Sequence, residues 1–442
     1  MFADRRRSFM NQMGEGVALF YAAPEKIRSN DTHYKFRQDS TFYYLTGFNE
    51  PGSAIVLLPG HPDHEVVMFV RPRDRDMEIW NGRRAGPEGV KERFGAQASY
   101  TIDKLPEMLA GYLAKTDRFF YGIGRQADRD REVLGVMEGL RQKVRLGLKA
   151  PSQMIDPAAI LNEMRLHKTA EEAEVMRQAC RITSEGHIAA MQAVKPGMYE
   201  YQVEALIEQE FRARGAAAPG YGTIAGSGVN ATVLHYVENE SICRDGELLL
   251  VDAGAEYMGY SGDITRTFPV NGKFSAAQRA VYEIVLDAQM KAIAACRPGA
   301  GFVDVHNIAL RALVEGLVKL GVLKGSVDEI IKNETYKPVY MHRTSHWLGL
   351  DVHDVGEYRR GDEDRPLEPG MVLTVEPGLY FTEWWEEGPA EYRGIGIRIE
   401  DDVLITEKGH EVLTSVPKTV AEIEAVMAGA PRESAASART RA

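Results

Sequence analysis

Over residues 1–150, short apolar runs alternate with breaks rich in glycine, proline, asparagine and aspartate. The runs at 17–21, 54–58 and 65–70 read as buried strands, and the spacing over 104–113 and 132–143 predicts helices. Residues 151–157 form a connection, and the pattern changes at Leu166. This predicts an N-terminal α/β domain over 1–165 and a second domain over 166–429.

The second stretch repeats its own order. Thr169 with Glu172 makes a capping box that opens a helix, and the helix closes at Lys195-Pro196-Gly197. A second helix then runs to about Gly215, and strands follow. About a hundred residues on, Ser275 with Gln278 opens a helix that closes at Arg297-Pro298-Gly299, another helix reaches Gly321, and strands follow again. Two helix–helix–sheet halves predict a pseudo-two-fold domain around a curved, mainly antiparallel sheet, with chance similarity of two helix pairs as the alternative. The fold class is α/β (α+β). Residues 430–442, rich in Ala, Ser, Arg and Thr, are predicted to be disordered.

Candidate chemistry gathers where apolar strands meet turns. Leu248-Leu249-Leu250-Val251 delivers Asp252, and after a turn at Met258-Gly259 the run Ser261-Gly262-Asp263 leads into a second strand. A hairpin of this kind places Asp252 and Asp263 side by side. Either aspartate alone is more simply a turn cap; as a pair, with only Arg266 as a nearby basic partner, they read as metal ligands. Residues 341–353 hold three of the chain's eleven histidines, His342, His346 and His353. Glu376 ends another apolar strand, and alternation puts Arg398 and Glu400 on one face of a third. Four carboxylates (Asp252, Asp263, Glu376, Glu400) and one imidazole (His346) repel unless cations neutralise them. Oxygen-rich donors with one imidazole suit divalent Mn, Co, Fe or Zn. Two ions fit better than one, which points to a two-metal hydrolase. No G-x-S-x-G elbow, P-loop, HExxH or strand-to-helix G-x-G-x-x-G occurs.

Composition narrows the partners. A net charge of −11 disfavours nucleic acid, and no run approaches the ~20 apolar residues of a membrane span. Arg5, Arg6 and Arg7 ahead of the apolar run 17–23 look superficially like a leader, but the polar stretch between them and Pro24-Glu25-Lys26 after them favour a first buried strand. Cys180, Cys243 and Cys296 are odd in number and far apart, which predicts buried free thiols and a cytoplasmic location.

Asp252-Ala253-Gly254, Gly262-Asp263, His342 with Ser345-His346-Trp347-Leu348-Gly349, Val375-Glu376-Pro377-Gly378 and Arg398-Ile399-Glu400 resemble the proline-peptide peptidases of the pita-bread metallopeptidase class. The match is best to the aminopeptidase P family. It continues in Phe36-Arg37-Gln38-Asp39-Ser40, Tyr44-Leu45-Thr46-Gly47-Phe48-Asn49-Glu50, Glu78-Ile79-Trp80-Asn81-Gly82-Arg83-Arg84 and Glu163-Met164-Arg165-Leu166. The resemblance implies two Mn(II) ions per subunit, with Co or Zn as substitutes. Asp252 would hold one, His346 and Glu376 the other, and Asp263 and Glu400 would bridge. It implies release of the N-terminal residue from proline-containing peptides (Xaa-|-Pro-) by a hydroxide between the metals, with Glu376 carrying the proton to the leaving nitrogen. His235 would face the substrate, His353 would steady the tetrahedral intermediate, His342 would sit in the substrate pocket and Arg398 would stand behind the ligands. A homo-oligomer, dimer or tetramer, is implied too, with Trp80 reaching toward a neighbour. Arg343 stands where the family usually has glycine, and Pro157-Ala158 where bacterial relatives often carry arginine. The rival readings are an Xaa-Pro dipeptidase and a pita-bread binding module without catalysis.

Overall fold

The computed structural model describes residues 1–429, so the tail expected over 430–442 lies outside the described residues. The chain divides into two compact units, one over residues 1–164 and one starting at Arg165.

In the first unit α1 (Phe2–Met13) precedes β1 (Val17–Tyr21), β2 (Ala54–Leu57), β3 (Val66–Val70), α2 (Arg75–Asn81), β4 (Ala98–Thr101), α3 (Leu105–Leu113), β5 (Arg118–Phe120), α4 (Ala127–Arg141) and β6 (Gln153–Ile155). The strands pair in the order β4-β3-β2-β1-β5-β6. Pairing is antiparallel among β1, β2 and β3 and parallel at both edges. Every residue of β1 and β2 is buried, because helices cover both faces of the sheet. Leu105 and Leu109 of α3 and Val133 and Met137 of α4 pack with Val17, Leu19 and Tyr21. Phe9 of α1 meets Phe20 and Phe120 edge-on.

Helix α1 is absent from the sequence reading, and its arginines explain why. Arg5 and Arg6 are buried and donate to Tyr44 O and Leu45 O at 3.2 and 2.8 Å, near the end of the short helix Ser40–Thr46. Cations are favoured at a helix C-terminus, so the basic cluster has a structural use that charge counting hides.

The second unit opens with α5 (Ala170–Ala193) and α6 (Glu200–Ala213), followed by β7 (Ile224–Ser227), β8 (Leu248–Ala253), β9 (Ala255–Tyr257), β10 (Tyr260–Ser261) and β11 (Ile264–Pro269). Then α7 (Ala276–Ala295) and α8 (Phe302–Lys319) repeat the helix pair. After them come β12 (Val372–Val375), β13 (Gly378–Phe381), β14 (Ile395–Arg398), β15 (Asp401–Thr406), β16 (Gly409–Val412) and α9 (Val420–Met427). Both expected capping boxes form: Thr169 with Glu172 at 3.0 and 3.3 Å, and Ser275 with Gln278 at 2.9 and 3.3 Å. Strands β7-β8-β11, β12-β15-β16 and β13-β14 pair antiparallel throughout. The two helix–helix–sheet halves meet where Glu400 N donates to Thr265 O at 3.0 Å and Arg398 N donates to Thr267 Oγ1 at 3.2 Å.

Behind that seam lies a buried charge network. Arg266 Nη2 donates to Asp401 Oδ1 at 2.6 Å, while Lys418 Nζ and Gln289 Nε2 donate to Oδ2 at 2.7 and 2.8 Å. Arg266 also donates to the carbonyls of Thr265 and Val416 at 3.0 and 2.9 Å. Burial alone would raise the Asp401 carboxyl, but Arg266 and Lys418 outweigh it and hold it well below the ordinary 3.8. Asp401→Asn leaves both cations without their shared anion and should cost about 3 kcal/mol at neutral pH, read by urea denaturation. Because the folded-state value is depressed, the wild-type advantage is complete above about pH 4 and fades as acid protonates Asp401 through that value, so the two proteins should converge there.

Candidate metal centre

Backbone register builds the acidic cluster. In the β8–β11 ladder Asp252 lies opposite Thr265 and Ala253 opposite Ile264. Asp263, two residues before Thr265, therefore projects to the same face as Asp252, one diagonal step away. The chain between them folds out as the β9–β10 hairpin, turning on Met258 and Gly259 with φ of 49° and 84°. Positive φ at both central residues marks the tight turn that suits strand twist. Close approach here requires glycine: a Cβ on Gly254 would lie 1.8 Å from Gly262 O.

Tyr221, which the sequence reading missed, joins the two aspartates. Its hydroxyl lies 2.6 Å from Asp252 Oδ1 and also reaches Asp263 Oδ1. A phenol has one proton to donate, so the two carboxylates compete for it. The cation beside Asp252 is Arg398, not Arg266. Arg398 Nη2 donates to Asp252 Oδ2 at 2.6 Å, Nε to Thr265 Oγ1 at 3.0 Å and Nη1 to Tyr380 Oη at 3.0 Å. Arg266, one residue past Thr265, falls on the opposite face and serves Asp401. Thr265 Oγ1 passes its proton toward Glu400 Oε2 at 2.6 Å, and Asp263 N donates to Asp402 Oδ2 at 2.9 Å.

On the other side, residues 341–354 form neither helix nor strand, so the i, i+4 spacing of His342 and His346 carries no helical meaning. The segment is tied to β12 instead: Thr374 N donates to His346 O at 3.0 Å, and Glu376 N to Thr344 O at 2.8 Å. His346 Nδ1 lies 3.0 Å from Trp347 O. A carbonyl only accepts, so Nδ1 carries a proton and Nε2 is the atom turned to the carboxylates. Nε2 lies 3.5 Å from Asp263 Oδ2 and 3.6 Å from Glu376 Oε1. Atoms so placed call for positive charge between them, a proton on Nε2 or a metal cation in its stead. Single ligand atoms of Asp263, His346 and Glu400 all lie within 4.8 Å of one another.

Titration behaviour reflects the same crowding. Burial pushes Glu376 up to about 7, with His346 and Arg398 pulling against it. Burial, then the neighbouring carboxylates, raise Glu400 well above its ordinary value; Asp263 is also raised, burial leading. Burial would depress the His346 imidazole, but Asp263 and Glu376 outweigh it and lift it to about 9. Three carboxyls that resist ionisation beside a basic imidazole fit a divalent-cation site.

The remaining histidines gather at the same place. His342 Nδ1 lies 2.7 Å from Arg343 O, and its Nε2 accepts from Tyr380 Oη at 2.8 Å. Burial, then Arg398, lower it to about 3, so it stays neutral. His353 packs edge-on to His346 with ring centroids 4.4 Å apart. His235 is exposed, and burial, then His346, lower His353. Arg343 is exposed. Tyr380, Thr265 and Asp402 also escaped the sequence reading. The available signal was alternation, since Asp402 stands two residues past Glu400 on a run of acids.

Residues 174–407 match the family described as metallopeptidase family M24, and residues 2–121 match the aminopeptidase P N-terminal domain. The chain is 49% identical over 435 residues to the Xaa-Pro aminopeptidase of Escherichia coli strain K12, covering 98% of each. It superposes on a Pseudomonas aeruginosa aminopeptidase with a TM-score of 0.96 at 47% identity, covering 97% of each chain. An Escherichia coli aminopeptidase P variant solved in complex with substrate gives 0.94 at 49% identity over 97% of this chain and 98% of that one. Over nearly its whole length the chain thus belongs to the Xaa-Pro aminopeptidases of metallopeptidase family M24, metal-dependent enzymes that remove the N-terminal residue ahead of a proline.

Proposed function

We propose that this aminopeptidase works with two divalent ions per subunit, Mn(II) by preference and Co or Zn as substitutes. Asp252 would hold one, His346 and Glu376 the other, and Asp263 and Glu400 would be shared. The observation that carries this reading is the convergence of Asp263, His346 and Glu400 within 4.8 Å, with Glu376 beside His346 and Asp252 joined to Asp263 through Tyr221.

Divalent ions bound there supply Lewis acidity toward the scissile carbonyl and acidify a water nucleophile. Glu376 takes the proton of that water and hands it to the leaving proline nitrogen. Proline's nitrogen carries no N–H in the peptide, so the site must seat the ring without that hydrogen bond. His342, neutral and bonded to Tyr380, fixes the Tyr380–Arg398 pair on the substrate side. Arg398 in turn orients Asp252. His353 donates to the oxygen of the tetrahedral intermediate and His235 to the bound peptide, a use that suits their exposure.

We further propose a homo-oligomer, dimer or tetramer. Helix α2 buries none of its own residues and exposes Ile79 at 80% and Trp80 at 83%, an apolar pair suited to a neighbouring subunit. Three buried free thiols suit a reducing compartment, the cytoplasm.

Chelation should abolish turnover and Mn(II) should restore it, with elemental analysis counting two ions per chain; full activity in metal-free protein would rule the mechanism out. Xaa-Pro-Yaa tripeptides and longer peptides should lose their first residue while Xaa-Pro dipeptides react poorly, measured by product chromatography. The reverse preference would mark a dipeptidase. Light scattering should return a multiple of the 49.2 kDa chain, and a monomer at micromolar concentration would count against assembly.

A further inference from the structure

His353 lies past the stretch 344–348 that bonds to β12, in a turn that is neither helix nor strand. A catalytic group on a loop keeps its geometry only when the backbone around it is tied down. Here the tie is a buried ion cluster. Arg165 Nη2 donates to Asp351 Oδ2 at 2.7 Å and to Asp354 Oδ1 at 2.6 Å, and Lys168 Nζ donates to Asp354 Oδ2 at 3.0 Å. The side chains of Arg165, Lys168 and Asp354 are 3%, 1% and 1% exposed. Asp351 and Asp354 bracket His353 in sequence. Main-chain bonds close the turn, from Asp354 N to Trp347 O at 2.9 Å and from Gly349 N to Asp351 O at 3.1 Å. A Cβ on Gly349 would lie 2.1 Å from Asp354 Oδ2 and 3.0 Å from Lys168 Cε, so glycine there leaves room for the cluster.

Burying two cations with the Asp354 carboxylate is no efficient way to gain stability, since apolar side chains of similar volume often do as well. What charged, directional bonds add is a fixed position. We infer that Arg165, Lys168, Asp351 and Asp354 are positioning residues for His353, setting the 351–354 turn so that its imidazole stays edge-on to His346 on the substrate side. The inference rests on the reading of His353 as a substrate-side group and adds what holds it.

The test uses Asp354→Asn and Asp351→Asn in the full-length Mn-loaded enzyme, each alone and combined with His353→Ala, with melting curves to confirm folding. Each single variant should lower kcat about ten-fold while KM moves less than about two-fold, because a misplacement of order 1 Å costs up to ~100-fold. In the His353→Ala background the same substitutions should cost less than about two-fold, since the group they position is gone. Asp351 guards against loss of folding: its side chain is 38% exposed, and Asp351→Asn leaves both cations bonded to Asp354. If Asp354→Asn does not fold, Asp351→Asn decides alone. Equal losses in both backgrounds, or a loss in KM alone, overturn the positioning role and leave His353 as a substrate-side group. A fully active His353→Ala overturns the reading of His353 itself, and the inference with it.

Discussion

Carboxylates placed side by side inside a protein resist ionisation, and this chain sets Asp263, Glu376 and Glu400 around one imidazole, with Asp252 joined to Asp263 through Tyr221. The arrangement persists because the backbone enforces it: Asp252 and Asp263 share a face through the β8–β11 register, and Glu400 follows β14, which pairs with β13 just beyond Glu376. His346 is turned so that Nδ1 serves the Trp347 carbonyl and Nε2 meets the carboxylates, where a proton or a cation must sit. With their mutual repulsion uncompensated by enough protein cations, the cluster is a demand for positive charge.

The chain's own cations are distributed to leave that demand unmet. Arg398 enters from one side and satisfies Asp252. Arg266, only one residue from Thr265, is committed to Asp401 on the far face together with Lys418. Arg165 and Lys168 are spent on Asp351 and Asp354. Strand alternation therefore does more than separate polar from apolar positions. It turns Arg266 toward Asp401 and leaves Arg398 as the one of these five cations that reaches Asp252.

Much of this could be read from residue order. The paired capping boxes and repeated helix pairs are local signals, and local signals survive without knowledge of packing. The acids at the ends of apolar strands were legible for the same reason. What escaped was set by long-range approach. Tyr221 carries no motif beyond its flanking glycines, yet register brings it onto Asp252 and Asp263. The partner of Asp252 was misjudged because Arg266 is near in sequence while Arg398 is near only after the two halves meet. Helix α1 was missed because its buried arginines look like surface charge until the carbonyls of Tyr44 and Leu45 are placed beside them.

The raised carboxyls of Asp263, Glu376 and Glu400, with the raised imidazole of His346, make the cluster an exchanger. Protons and divalent ions occupy the same oxygen and nitrogen lone pairs, so uptake of one must expel the other. Ion loading therefore releases acid, and acidity in turn sets how firmly the ions are held. The residues that make the centre hungry for metal also make its cofactor content a function of the hydrogen-ion activity around it.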